Sequence, residues 1–223
     1  MPLPSARSVT SQTILEVERK FCGLAVPQLT ANAGCPPFHS LRYLGEHTFN
    51  DVYFDKNDKL SSSGLWIRKR QIEGEGPAWE AKVRKGGTFN NSAFEELTDC
   101  TAIARRVTAI TGHHRATLGN FGLDVLATIR TRRKSWLADG QFKIVLDVMD
   151  FGHEVGEVEL ERRLTLSQDQ VPAVDVETWK RNITQDLDRQ IQAFMERYRW
   201  AFRSGIPRGK LTAYFEKQKA RRP

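Results

Sequence analysis

The segment LEVERKF (residues 15–21) alternates charged and apolar side chains near the beginning of the chain. Glu16, Glu18 and Lys20 occupy every second position, and apolar residues such as Val17 lie between them. Because successive side chains of a β-strand point to opposite faces of a sheet, this pattern predicts a strand with one charged and one apolar face. The fold then depends on which of these two faces is turned inward.

Further segments show the same alternation and are separated by clusters of Gly, Ser, Asn and Asp that favour turns. About eight antiparallel strands of this kind can close into a small barrel. The predicted strands are Thr13–Phe21, His47–Phe54, Leu65–Ile72, Ala78–Arg84, Ala93–Leu97, Phe121–Arg133, Phe142–Met149 and Glu154–Arg163.

Helical spacing of apolar residues predicts a helix over Cys100–Ile110, a long helix later in the chain and a short closing helix with Pro207 in its first turn. The stripe of the long helix is formed by Trp179, Ile183, Leu187, Ile191, Phe194 and Tyr198. Since helices with apolar stripes need a surface to cover, the apolar strand faces can form the outside of a closed sheet. We therefore expect an α+β fold, a closed eight-stranded antiparallel β-barrel with a polar, charged lumen and helices packed outside. The alternative is a sheet whose charged faces meet water.

The overall charge favours an anionic partner, because the 223-residue chain has a net charge of +7. Part of the excess lies in a basic C-terminal tail, residues 216–223, where a solvated segment is a common explanation. A hydrophobic content of 39% is sufficient for a core, and no linker-like stretch divides the chain. We expect one domain over residues 1–223, with a core from about 13 to 217.

Neither a membrane segment nor a cysteine-based site is indicated. No apolar run approaches the ~20 residues that cross a bilayer, and the N-terminal residues lack the apolar region of a signal peptide. The cysteines, Cys22, Cys35 and Cys100, form no CxxC pair and suggest neither a disulfide framework nor a zinc site. We expect a soluble, cytoplasmic monomer without a nucleic-acid or membrane partner.

The charged strand faces combine carboxylates with Arg and Lys. Carboxylates two positions apart on a strand lie ~7 Å from each other on one face, and such pairs occur in EVE near the start and in EVELE near residue 159. Clustered carboxylates bind hard divalent cations, whereas clustered Arg and Lys bind phosphate oxygens. Both kinds of cluster in one lumen would suit a metal-chelated polyphosphate.

The stretch EVERK (16–20) resembles the ExExK motif of the CYTH, or triphosphate tunnel metalloenzyme, superfamily. The similarity continues in the order expected for that family from residue 13 to about 217. The chain looks most like the thiamine triphosphatase branch, because Trp66 precedes the Arg pair, DFG is followed by GEVE, and Lys210 lies in a GKL context. The matching segments are HTFNDVYFD, GLWIRKR, WEAKVR, FEEL, RRKSW, LDVMDFG, GEVELE and GKLTAYF.

The resemblance implies an enzyme that hydrolyses thiamine triphosphate to thiamine diphosphate and phosphate with Mg²⁺, or Mn²⁺, as cofactor. The catalytic residues it implies are Glu16, Glu18, Lys20, Arg68 and Arg70. The implied metal ligands are Glu16, Glu18, Asp147, Glu157 and Glu159. The implied substrate-binding residues are Lys20, Trp66, Arg68, Arg70, Lys82, Arg133 and Lys210.

Two of these assignments are open to a second interpretation. Trp66 could stack on a cationic head group, or it could be an ordinary buried strand residue. Arg133 could be replaced by Arg132, since a shift of one residue in strand register exchanges the faces on which they lie.

Several functions compete with hydrolysis of thiamine triphosphate. Inorganic tripolyphosphate could be the substrate of the same tunnel, because phosphate binding alone does not specify a head group. The charge pattern is also compatible with a class IV adenylyl cyclase and with a non-catalytic polyphosphate- or RNA-binding module.

Overall fold

The computed structural model describes residues 10–26, 29–112, 119–167 and 173–221, and within these ranges the strands form a closed antiparallel barrel. Neighbouring strands follow the order β1, β5, β4, β3, β2, β6, β7, β8, so the first strand pairs with the last. The strands are β1 (Thr10–Phe21), β2 (Leu41–Asp55), β3 (Leu65–Ile72), β4 (Ala78–Gly87), β5 (Asn91–Leu97), β6 (Asp124–Ala138), β7 (Phe142–Met149) and β8 (Glu154–Ser167). The predicted eight-stranded barrel is therefore confirmed.

Four helices lie outside this barrel within the described ranges. They are α1 (Lys59–Ser62), α2 (Cys100–Thr111), α3 (Ala173–Arg197) and α4 (Lys210–Ala220). Asp99 caps α2 by accepting a 2.8 Å hydrogen bond from the backbone N–H of Ala102. Helix α4 includes the first part of the predicted tail, whereas residues 222 and 223 lie outside the described residues.

The hydrophobic core lies between the barrel wall and these helices. The outer face of β1, β7 and β8, including Val17 and Ile144, packs against Leu187 and Ile191 of α3. A second apolar cluster joins β3 and β4 to α2 through residues such as Ile103. The apolar strand faces are thus turned outward under the helices, and the charged faces are turned inward.

Several local predictions were wrong. β6 runs from Asp124 to Ala138, because Phe121 has a positive φ of 56° and belongs to the preceding turn. Trp179 does not join the buried stripe of α3, since it is 41% exposed. Helix α1 was missed because four residues show no periodicity. It is held by Asp55, whose buried carboxylate accepts backbone N–H groups of Leu60 and Ser61.

The remaining findings concern membranes and cysteines. No helix within the described ranges combines the length and the apolar composition needed to cross a bilayer. Cys22, Cys35 and Cys100 all lie in the described part of the chain and form no disulfide.

Candidate active site in the barrel lumen

The lumen contains a cavity of about 430 Å³ that is lined mainly by charged side chains. All predicted site residues except Asp147 line this cavity. They are Glu16, Glu18, Lys20, Trp66, Arg68, Arg70, Lys82, Arg133, Glu157, Glu159 and Lys210.

Strand register brings the two acidic segments of the sequence together. β1 and β8 are antiparallel neighbours, and Glu18 lies directly opposite Glu159. Lys20 is opposite Glu157, and Glu16 is opposite Glu161. Like charges directly opposite each other destabilise a sheet, so this register requires positive charge nearby.

Glu16, Glu159 and Glu161 each offer a carboxylate oxygen, and these three atoms lie within 4.8 Å of one another. Such a group of oxygens is suited to a hard divalent cation. Glu161 was not among the predicted metal ligands, although it shares the strand face of Glu157 and Glu159. The alternation of β8 was therefore sufficient to find it. Together, the five lumen-facing glutamates of β1 and β8 are called the acidic side: Glu16, Glu18, Glu157, Glu159 and Glu161.

Carboxylates of the acidic side differ in the direction of their pKa shifts. Burial raises the pKa of Glu16 well above its ordinary value, an effect that Lys82 opposes and that Glu96 and Glu18 increase. Burial also raises the pKa of Glu161. At these two carboxyl groups the surrounding positive charge does not outweigh the effect of burial.

Other members of the acidic side have close lysines or arginines. Burial opposes ionisation of Glu18, but Lys82 and Lys20 outweigh it and lower the pKa of Glu18 to about 2. Lys143 and Arg133 outweigh burial at Glu159 in the same way and lower its pKa to about 2. The Lys143 ammonium is 2.7 Å from the Glu159 carboxylate. Both glutamates are therefore ionised at neutral pH.

The lumen also carries a basic cluster, which we define as Arg68, Arg70, Arg133 and Lys210. This cluster adjoins the acidic side, since Arg133 is 3.4 Å from Glu159. Each of its arginines is held by a carboxylate of the barrel wall. Arg70 donates two hydrogen bonds of 2.7 Å to Asp51, and Arg68 is 2.6 Å from Glu80.

Asp147 pairs with two members of the basic cluster although it does not itself line the cavity. It is fully buried and accepts two hydrogen bonds of 2.7 Å from Arg133, and it also forms an ion pair with Lys210. Burial opposes its ionisation, but Arg133 and Lys210 lower the pKa of Asp147. The structure thus places Asp147 as the counter-ion of two cations, and its role as a metal ligand stays a prediction.

Arg133 and Trp66, whose positions the sequence left open, both line the cavity. The Arg132 side chain, in contrast, is 59% exposed on the outside, 3.7 Å from Glu46. Trp66 also packs edge to face against Phe94, with ring centroids 5.8 Å apart. One side of its indole is therefore used in packing inside the lumen.

Sequence reasoning missed several residues that complete the site: Asp51, Glu80, Lys143 and Glu161. The strand alternation contained the relevant information for the last three, because each shares a strand face with a residue that was predicted. Asp51 was overlooked because it is a single acid among aromatic and aliphatic residues, and its partner Arg70 lies on another strand.

Comparisons with known proteins agree with this geometry. The CYTH domain profile matches residues 15–189. The chain is 30% identical over 168 residues to the thiamine-triphosphatase of Homo sapiens. This match covers 67% of this chain and 69% of the human protein. It is 29% identical over 182 residues to the thiamine-triphosphatase of Macaca fascicularis. That match covers 73% of this chain and 74% of the macaque protein.

A solved structure shows the same fold. A Hippeastrum protein, described as having a dominant triphosphatase activity, has a TM-score of 0.54 to this chain at 18% identity. The match covers 91% of this chain and 96% of that chain. The family resemblance inferred from the sequence motifs is confirmed.

Proposed function

The chain belongs to the CYTH domain family, and from this premise we propose that it is a metal-dependent triphosphatase that hydrolyses thiamine triphosphate to thiamine diphosphate and phosphate. One observation carries the proposal. An acidic side suited to a divalent cation and a basic cluster suited to phosphate oxygens line the same cavity. Such a cavity matches the charges of a metal-chelated triphosphate.

The basic side chains bind the triphosphate and stabilise charge on the transferred group. Hydrolysis of a phosphoanhydride requires neutralisation of the phosphoryl oxygens and an attacking water in line with the leaving group. Arg68, Arg70, Arg133 and Lys210 supply donors for the oxygens, while carboxylates of the acidic side accept hydrogen bonds from the water. Attack on the terminal phosphorus breaks the bond to the bridging oxygen, which leaves with thiamine diphosphate.

The acidic side supplies the residues that would hold Mg²⁺ or Mn²⁺. Glu16, Glu159 and Glu161 form the compact group of oxygens, and Glu18 and Glu157 lie beside them. Two carboxyl groups with raised pKa values in this region indicate that further positive charge would be accommodated. A bound metal would polarise the phosphate oxygens and lower the charge of the leaving group.

The head group is the least constrained part of the proposal. Trp66 is the residue we assign to the thiamine ring, because an indole face binds a cationic ring with ~0.5–2 kcal/mol. Tripolyphosphate is the second candidate substrate. It is favoured by the many charged groups in the lining, which bind a phosphate chain whatever it is attached to.

Phosphate release tests the proposal directly. Thiamine triphosphate, tripolyphosphate and ATP are incubated with the protein and Mg²⁺ or Mn²⁺, with a chelator control. We expect metal-dependent release that is fastest for thiamine triphosphate, and Trp66→Ala should slow this substrate while sparing tripolyphosphate. Fastest release from tripolyphosphate would assign that substrate instead.

Two further outcomes would contradict hydrolysis. Cyclic AMP and pyrophosphate formed from ATP would identify a cyclase. Binding of tripolyphosphate without turnover, unchanged in Glu159→Gln, would identify a non-catalytic binding module.

A further inference from the structure

The ring of Phe49 lies against three of the four cations of the basic cluster. Phe49 is on β2, and its ring centroid is 4.0 Å from the guanidinium carbon of Arg70. The corresponding distances are 5.5 Å to Arg133 and 5.4 Å to the Nζ of Lys210. A cation within about 6 Å of a ring centroid is attracted by the ring quadrupole. One ring therefore contacts side chains from β3, β6 and α4.

Phe49 differs in its surroundings from the other buried aromatic residues of this barrel. It is 4% exposed, yet it belongs to none of the three apolar clusters formed by the described residues. Its neighbours include the ion pairs of Asp51 with Arg70 and of Asp147 with Arg133, whose arginines lie on the two strands that flank β2. A residue needed only to fill apolar space would be expected among apolar side chains.

The ring and the two aspartates hold the same cations in different ways. Asp51 and Asp147 are fully buried and neutralise part of the positive charge of Arg70, Arg133 and Lys210. Each carboxylate also accepts hydrogen bonds from arginine N–H groups that could otherwise donate to a phosphate oxygen. An aromatic face attracts a cation without neutralising it and without using those donors. Phe49 can therefore fix these groups while leaving them available for a ligand.

We propose that Phe49 is a positioning residue that orients Arg70, Arg133 and Lys210 for the oxygens of a triphosphate. It touches neither the substrate nor the reacting atoms, since it does not line the cavity. Its contribution is preorganisation, because cations already held in place lose less conformational freedom on binding. The inference rests on the proposed function and adds to it a residue whose side chain carries no charge.

A series of fluorinated phenylalanines at position 49 tests this inference. Added fluorine atoms withdraw electron density from the ring face and change the shape of the side chain little. We expect the Kd for tripolyphosphate, measured by calorimetry with Mg²⁺, to rise stepwise with fluorination and to reach about 3- to 10-fold for the trifluoro variant. Phe49→Leu should raise the Kd by about 10-fold or more, and Phe49→Trp should restore much of the affinity.

The matched control is the same series at Phe142. This residue is 7% exposed and stacks on Phe194 with a centroid distance of 4.0 Å, and the described contacts of its ring include no cation. Fluorination there should leave the Kd unchanged. A Kd that is equally insensitive at Phe49, with Tm values matched between the two series, would overturn the inference.

A measurement on the ligand-free protein separates this inference from the proposed function. Solvent exchange of the Nε–H groups of Arg70 and Arg133, followed by NMR, should become several-fold faster in Phe49→Leu. A wild-type protein that binds no tripolyphosphate would contradict the proposed function, and the exchange rates alone would then decide the role of Phe49. Unchanged exchange rates would show that Phe49 does not hold these arginines in place.

Discussion

Two buried glutamates on neighbouring strands occupy very different electrostatic environments. Glu16 on β1 faces the lumen and is 2% exposed, while Glu95 on β5 faces outward and is 4% exposed. Glu95 is 2.7 Å from Lys180 of α3 and 2.9 Å from Lys85 of β4, and these lysines outweigh burial and lower its pKa. Glu16 has Lys82 beside it, and burial raises its pKa instead.

The difference lies in how many carboxylates share each lysine. Lys82 contacts Glu18 and Glu96 as well as Glu16, so its single charge is divided among three acids. Glu95 pairs with two lysines, each of which also contacts the exposed Glu177, and it connects the barrel wall to α3. A compensated carboxylate of this kind stabilises the fold, whereas an under-compensated one is prepared for an additional cation. Substitutions in the two regions test that distinction, beginning with the largest expected effect.

The lumen cations should control activity. Arg133→Ala removes a donor to the phosphate oxygens and leaves Asp147 without its main partner, so we expect phosphate release to fall about 1000-fold in kcat/KM. Arg132→Ala, the adjacent exposed residue, is the matched control and should stay within about twofold. Equal losses in both variants would show that general charge, rather than the lumen, determines the rate.

The outer carboxylate should control stability. Glu95→Ala leaves the buried ammonium of Lys180 without its closest partner, and we expect the free energy of unfolding to fall by about 3 kcal/mol. Denaturant titration measures this loss, and Glu177→Ala, at a partner carboxylate that is 58% exposed, should cost less than about 1 kcal/mol. The folded fraction of Glu95→Ala should retain wild-type kcat/KM. A large loss of turnover would contradict the separation of the two regions.

Added metal should distinguish the same two glutamates. A ligand that binds only the native state at ten times its Kd stabilises it by about 1.4 kcal/mol. For a chain of this length we expect Mg²⁺ to raise Tm by about 3–6 °C in wild type and in Glu95→Ala. The shift should be absent in Glu16→Gln. An undiminished shift in Glu16→Gln would place the metal elsewhere.

Substitution of Glu16 should stabilise the metal-free protein. Glu16→Gln mimics the protonated acid, so we expect Tm at pH 7 to rise by about 2–4 °C, the shift that roughly 1 kcal/mol produces. A raised folded pKa means that protonation favours the native state. The advantage of the variant should therefore disappear as pH falls through the pKa of Glu16.

The pH dependence at Glu95 should have the opposite sign. Its lowered pKa stabilises the fold fully above the ordinary value of 4.5, and this stabilisation is lost as pH falls through the lowered pKa. The difference in Tm between wild type and Glu95→Ala should thus shrink on acidification. Parallel pH profiles for the two glutamates would refute the comparison.

The sequence contained most of the fold and of the lumen. Alternation assigned the strands and placed Arg68 with Arg70 and Glu157 with Glu159 on single faces, because a period of two is fixed by backbone geometry. Closure could be inferred because the helices require apolar surfaces. Strand pairing, however, is a property of the folded barrel that alternation does not specify, and it is this pairing that places Glu18 opposite Glu159.

The parts that sequence reasoning did not reach depend on tertiary context. Trp179 fits the helical spacing of α3 but is 41% exposed, whereas the adjacent Lys180 is buried against Glu95 of β5. The role of Phe49 depends on cations from three elements that are distant in sequence. Neither local propensity nor alternation carries such information.

The seam between β1 and β8 has a consequence for how the chain is made. β1 can pair with β5 once residue 97 has been synthesised, but its other edge waits for residues 154–167. Until those residues pair, this edge has unpaired backbone groups, and Glu16 and Glu18 place like charges along it that oppose pairing with the same edge of another chain. We therefore expect the carboxylates of this edge to disfavour edge-to-edge association of chains in which β8 has not yet paired.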